Sequence, residues 1–268
     1  MTDPEVVRQI HLDDIEPGTD IVTTNTYGII RSELAKEGLE DRFARLNVLA
    51  AELAHEARDR AEKEVLIAGS LPPLRGSYRA DLVGPSDEIE LLYREQADIL
   101  APYVDLFLCE TMSSGIEARS CARAAAATGK PVWVAWSLHE DRTGNLRSGE
   151  SVADAASALD GIEVSGVLTN CCAPESISES ILSLSKLGCK WFGGYANTFS
   201  SIPEDWTLDG DKDTDGILDC REDLSPQHYG DYVKTWLQAG ATIVGGCCGT
   251  RPAHTAVMRQ IIDAGQLS

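Results

Sequence analysis

Short apolar runs, several rich in β-branched residues, alternate along the chain with longer amphipathic stretches. The runs are residues 20–24 (DIVTT), 65–69 (VLIAG), 105–109 (DLFLC), 132–137 (VWVAWS), 166–170 (GVLTN), 191–195 (WFGGY) and 241–245 (ATIVG). Near-continuous apolarity of this kind suits parallel strands covered on both faces, so seven strands are predicted. The stretches between them carry helix signals. Leu46, Leu49 and Leu53 recur at helical spacing within residues 40–64, and Ser86 precedes an acidic first turn that leads into Ile89, Leu92 and Tyr93. Ser225-Pro226 opens a helix that closes at Gly240, and Thr250 to Pro252 opens another that ends near Gly265. Residues 4–15, 114–128, 151–159 and 175–187 complete eight predicted helices.

Repeating βα units of roughly 30–40 residues predict an α/β fold, a (β/α)8 TIM barrel in preference to an open doubly wound sheet. The count is uneven, because a helix comes first and one strand is wanting before Pro4. The expectation is therefore a barrel lacking its first N-terminal β-strand, with a shortened chain preferred over a seven-stranded closure. No linker, low-complexity segment or shift in composition divides the sequence, so residues 1–268 are expected to form a single domain.

Charge narrows the function classes. Lys and Arg number 23 against 43 Asp and Glu, a net charge of −20. Such a surface repels phosphate backbones and anionic lipid, which argues against nucleic-acid and membrane partners. No apolar run approaches the roughly 20 residues that span a bilayer, and the acidic N-terminus lacks a signal-peptide core. A soluble, cytoplasmic protein is expected. Its eight cysteines, at 109, 121, 171, 172, 189, 220, 247 and 248, include two adjacent pairs. Adjacent cysteines rarely bond to each other, and a chain of this size is not a small disulfide scaffold. They read better as metal ligands or reactive thiols.

Barrel enzymes build their sites where the strands end. Those ends read Thr24-Asn25-Thr26-Tyr27, Gly69-Ser70, Cys109-Glu110-Thr111, Asn170-Cys171-Cys172, Tyr195-Ala196-Asn197 and Gly245-Gly246-Cys247-Cys248-Gly249-Thr250. Three or four cysteines thus converge on one rim. Zinc favours thiolates, and a catalytic zinc takes three protein ligands and keeps one position open. Glycines around Cys247 and Cys248 give the backbone the freedom that two neighbouring ligands would need.

Asn170-Cys171 together with Gly245-Gly246-Cys247-Cys248-Gly249-Thr250 resembles the homocysteine S-methyltransferase family. The likeness runs on through Thr24-Asn25-Thr26-Tyr27, Gly69-Ser70 and Glu110-Thr111, and so spans nearly the whole chain. It implies a zinc-dependent barrel that moves a methyl group onto homocysteine sulfur to make methionine. By the same resemblance Cys171, Cys247 and Cys248 are the Zn2+ ligands, with Cys172 a bystander, and Glu110 contacts the homocysteine amino group. Thr24 and Asn25 are expected at the rim in support of substrate, and Asn170 behind Cys171. The chain is most similar to the short members that use S-methylmethionine or S-adenosylmethionine as donor. The family opens with a strand bearing an Asp-Gly-Gly type motif, and here the match begins after it, at Asp3-Pro4-Glu5-Val6.

Three thiolates on zinc leave a site of charge −1 into which a thiol can enter, lose its proton and stay nucleophilic. A sulfonium donor leaves as a neutral thioether and needs no general acid. Two other classes compete. One is a non-catalytic zinc-binding relative with an incomplete substrate pocket, suggested by the wanting strand. The other is a thiol redox protein, disfavoured by the lack of a Cys-x-x-Cys motif.

A last feature stands apart. Taking Asp211 as position 1, Asp213, Asp215, Gly216, Asp219 and Glu222 fall at positions 3, 5, 6, 9 and 12 of an EF-hand-type Ca2+ loop. No entering helix precedes it, so an acidic surface loop is the plainer expectation, with Ca2+ in an ordering role as the alternative.

Overall fold

In the computed structural model, which describes residues 3–203, 206 and 218–266, the predicted alternation is present. The order is α1 (Pro4–Ile15), β1 (Ile21–Thr23), α2 (Arg31–Lys36), α3 (Phe43–Ala61), β2 (Leu66–Leu71), α4 (Ser86–Leu100), β3 (Leu106–Met112) and α5 (Gly115–Ala126). It continues with β4 (Val132–Trp136), α6 (Val152–Ser157), β5 (Gly166–Asn170), α7 (Pro174–Ser185), β6 (Trp191–Ala196), α8 (Pro226–Gln238), β7 (Ile243–Gly246) and α9 (Pro252–Gln266). The α2 helix was not predicted. It is six residues long and buries only Leu34, too little to show a helical period.

Local chemistry sets the helix starts. The hydroxyls of Ser114, Ser151 and Ser225 accept from the backbone N–H groups of Glu117, Asp154 and His228, each three residues on. Pro4, Pro174 and Pro226 occupy first-turn positions, where no N–H is wanted. Ser86 differs from expectation: it is the first helical residue, and its hydroxyl pairs with that of Ser120 at 2.8 Å.

All seven strands are parallel and lie in chain order, β1 to β7, in one sheet. The sheet curls into a half-barrel with helices outside, an α/β TIM-barrel-like fold. Side chains on its two faces form two apolar layers. The outer layer joins Ile67, Phe107, Val134 and Val167 of the sheet to Ile177 and Trp236 of the covering helices. The inner layer is Ala68, Leu106, Leu108, Trp133, Ala135 and Leu168. This double burial is why the strands read as unbroken apolar runs.

Among the described residues β1 pairs only with β2 and β7 only with β6, which leaves a seam between the two edges. A cavity of about 1250 Å³ occupies the inside of the curl and reaches this seam. Helices α1 and α9 flank it, with His11 and Met258 on its wall. Gly193 lets β6 and β7 approach, since a Cβ there would lie 1.8 Å from the Ile243 carbonyl oxygen. No helix among the described residues is long and apolar enough to cross a membrane.

Candidate active site

The C-terminal ends of β3, β5, β6 and β7 converge on the same end of the cavity. At β5 the chain leaves the sheet at Cys171, which adopts a left-handed φ of 49° and donates its N–H to the Tyr195 carbonyl at 3.0 Å. At β7 a tight turn follows Gly246. Cys247 N–H bonds to the Ala196 carbonyl at 2.9 Å, and Thr250 caps the turn by donating both its N–H and its hydroxyl to the Cys247 carbonyl. Gly249 closes the turn at φ 79°, and a Cβ there would sit 2.0 Å from the Thr198 hydroxyl oxygen. Glycine is required at that position on both counts.

These two turns bring three sulfurs together. Cys171 and Cys248 Sγ lie 3.7 Å apart, Cys247 and Cys248 Sγ 3.9 Å, and all three fall within 4.8 Å of one another. Three sulfurs at about 2.3 Å from a tetrahedral zinc are about 3.8 Å apart, so the donor set and its spacing fit such an ion. Contacts first from Cys171 and then from Cys247 pull the Cys248 thiol down to about 3. Cys247 is pushed well above the usual thiol range by Cys171 and Cys248 and then by burial. At Cys171 a downward pull from Cys247 is outweighed by the Cys248 contact and by burial. A metal entering the trio binds its sulfurs as thiolates and displaces the protons they hold.

Tyr78, in the loop after β2, places its hydroxyl 3.0 Å from Cys171 Sγ. Burial raises this phenol well above its usual range, so it stays protonated and has a proton to offer the sulfur. The Arg147 guanidinium stacks on the ring, 4.9 Å from its centroid, and is bound by Glu140 at 2.8 Å.

Glu110 reaches the same cavity from β3. Cys109 pairs with Val134 and Met112 with Trp136, so two residues, Glu110 and Thr111, oppose the single Ala135. Alternation leaves Glu110 on the inner face with Leu106 and Leu108, and the bulge after it returns Met112 to the outer layer. Glu110 Oε1 accepts from the Ser70 hydroxyl at 2.5 Å and Oε2 from the Tyr195 hydroxyl at 3.0 Å. Burial raises its pKa, with both of those bonds opposing the shift.

The structure thus gathers Cys171, Cys247, Cys248 and Glu110 around one cavity, and Thr24 and Asn25 also line it. Thr24 is buried, and its hydroxyl is engaged by Thr26 and by the Ser70 N–H at 3.1 Å. Asn25 is exposed at the rim. Cys172 is fully buried in the outer apolar layer, turned away from the other three thiols. Asn170 does not meet Cys171 with its amide; it bonds to Thr111 instead, through two hydrogen bonds.

Sequence reading missed Tyr78 and gave no role to Ser70 or Tyr195. A tyrosine at an inward-facing strand end was a usable signal for Tyr195, whereas nothing local marked Tyr78. Of the proposed Ca2+ loop, Asp211, Asp213 and Asp215 lie outside the described residues. Asp219 and Glu222 are exposed, and the thiol trio is the one metal-capable cluster among the described residues.

Comparison with known proteins agrees with this geometry. A sequence model of the family described as homocysteine S-methyltransferase matches residues 1–262. A selenocysteine methyltransferase from Astragalus bisulcatus is 28% identical over 302 aligned residues, covering 98% of this chain and 84% of that protein. A homocysteine S-methyltransferase from Escherichia coli (strain K12) is 25% identical over 275 residues, covering 96% and 84%. Among solved structures, the metallated form of the Escherichia coli homocysteine methyltransferase MmuM superposes with a TM-score of 0.79 at 25% identity, covering 97% of this chain and 85% of that one. With the match extending through both cysteine turns, this chain belongs to the homocysteine S-methyltransferase family.

Proposed function

We propose that the protein transfers a methyl group from a sulfonium donor, S-methylmethionine or S-adenosylmethionine, to the sulfur of homocysteine, using zinc held by Cys171, Cys247 and Cys248. The observation that carries this reading is the thiol trio, at zinc-like spacing, opening onto the same cavity as a buried carboxylate. Zinc, when bound, supplies the Lewis acidity that keeps an incoming thiol deprotonated at neutral pH.

The remaining work falls to the protein's own groups. Glu110 receives the substrate ammonium, a charge-assisted contact that also restores the ionised carboxylate against its burial. Ser70 and Tyr195 hold that carboxylate, one on each oxygen. Thr24 braces Ser70 from behind, and Asn25 stands at the rim where substrate enters. The substrate sulfur forms its new bond to the methyl carbon as the donor's S–CH3 bond breaks. The electron pair of that bond stays on the donor sulfur, which leaves as a neutral thioether. No proton is needed at the leaving group, so no general acid is required.

The test has two measurements. Purified, reduced protein resupplied with zinc should hold about one ion per chain. It should then form methionine from homocysteine with one of the two donors. Zinc without turnover with either donor would favour a non-catalytic metal-binding relative, and no zinc would remove the reading. A selenol acceptor suits the same geometry, and the Astragalus bisulcatus relative is named for selenocysteine. Competition between homocysteine and selenocysteine for one donor distinguishes the two acceptors.

A further inference from the structure

The Glu110 bulge has an unusual residue at its second position. Thr111 is β-branched, fully buried and at φ 61°, the left-handed region that favours glycine and that a β-branched residue rarely enters. Something must hold it there. The Asn170 side chain, also fully buried, reaches across the end of β4 from β5 to do so. Its Oδ1 accepts from the Thr111 N–H at 2.8 Å, and its Nδ2 donates to the Thr111 hydroxyl at 2.9 Å. Both halves of the amide are thus spent on one strained residue, the neighbour of Glu110.

We propose that Asn170 is a positioning residue for the amino group of the substrate, acting through the Thr111 bulge on Glu110. This rests on the reading of Glu110 as the ammonium partner. A carboxylate held by only two hydroxyls can swing about its chain, and the backbone beneath it fixes which way it points. If Thr111 relaxes out of the left-handed region, the bulge is lost. The backbone beneath Glu110 then shifts against Ala135, and the carboxylate no longer meets the Ser70 and Tyr195 hydroxyls together. Cys171, although next in sequence to Asn170, is anchored separately through its N–H to the Tyr195 carbonyl, so the thiol trio does not depend on the amide.

The experiment compares homocysteine with 4-mercaptobutyrate, which has the thiol and the carboxylate but no amine. Dissociation constants for both are measured calorimetrically on zinc-loaded protein without methyl donor, beside zinc per chain. Asn170→Ala should weaken homocysteine binding on the order of tenfold, leave 4-mercaptobutyrate within about twofold, and keep its zinc. Thr111→Gly in the same background should restore the preference, because glycine needs no lock to hold the bulge. Should the single variant not fold, this double variant carries the test by retaining or losing the preference. Equal losses for both ligands, unchanged homocysteine binding, or failure of the double variant to recover the preference would overturn the proposal. A wild-type protein that binds neither thiol would overturn the functional reading itself, and the two failures are thereby distinct.

Discussion

The Tyr78 hydroxyl and the sulfur of Cys171 share a hydrogen bond across 3.0 Å, although 93 residues separate them in sequence. A bond to a ligating sulfur orients it and tempers its charge, and such outer contacts are worth about 10–100-fold in metal affinity. Tyr78→Phe should therefore still bind one zinc per chain, with affinity lowered on the order of tenfold in chelator competition. An unchanged affinity would show that the bond is incidental to metal binding.

Cys248 and Cys172 offer a matched comparison, since both adjoin a second cysteine but face different layers. Cys248→Ala should abolish zinc retention and methyl transfer together, having removed one of three sulfurs at zinc spacing. Cys172→Ala should lose stability through a small buried void, by about 1 kcal/mol, while zinc content stays at the wild-type value. Elemental analysis of both proteins decides the assignment, and zinc loss in the second variant would reverse the two roles.

Replacing Glu110 by Gln keeps the shape and the acceptor oxygen but removes the charge. The homocysteine KM should rise on the order of tenfold or more, with zinc retained. Steady-state kinetics beside metal analysis tests this. Loss of zinc would assign Glu110 to holding the site together instead.

Glu117 at the start of α5 is 3% exposed and accepts from both the N–H and the hydroxyl of Ser113 at 2.7 Å. Burial nevertheless lifts it from 4.5 to about 7. An acid raised in this way binds its proton more tightly folded than unfolded. Its contribution is thus complete below pH 4.5 and is lost as pH climbs to about 7, by at most about 3 kcal/mol. Glu117→Gln should melt higher than wild type at pH 8 and converge with it at pH 5. Glu110, raised in the same direction, leaves the variant a residual slope. Identical melting profiles for the two proteins would refute the assignment.

Strands and most helices were legible because the central strands β2 to β5 are buried on both faces and the long helices on one, so period and run length survive in the sequence. The thiol trio was legible for a related reason: strand ends in such a fold share a rim, which turns distant cysteines into neighbours. The Glu110–Thr111 bulge was not, since an extra residue in a strand alters the facing of Met112 without altering composition. The tie between Asn170 and Thr111 spans 59 residues and depends on β4 being short enough to reach over. Asn170 therefore read as a partner for its neighbour Cys171 when its partner is two strands away. Tyr78 sits in a loop where no period exists to mark which side chains turn inward.

The seam between β1 and β7 bears on what a metal would do for the sheet itself. Among the described residues strand β7 pairs on one side only, with β6, whereas β5 lies among paired neighbours. Its two cysteines and that of β5 meet over the top of β6, so an ion shared among them works as a clasp from an interior strand to a border one. Opening fluctuations that peel β7 and α9 from the molecule must first release that clasp. Amide exchange in this C-terminal unit should then be the part of the fold that most registers whether metal is present.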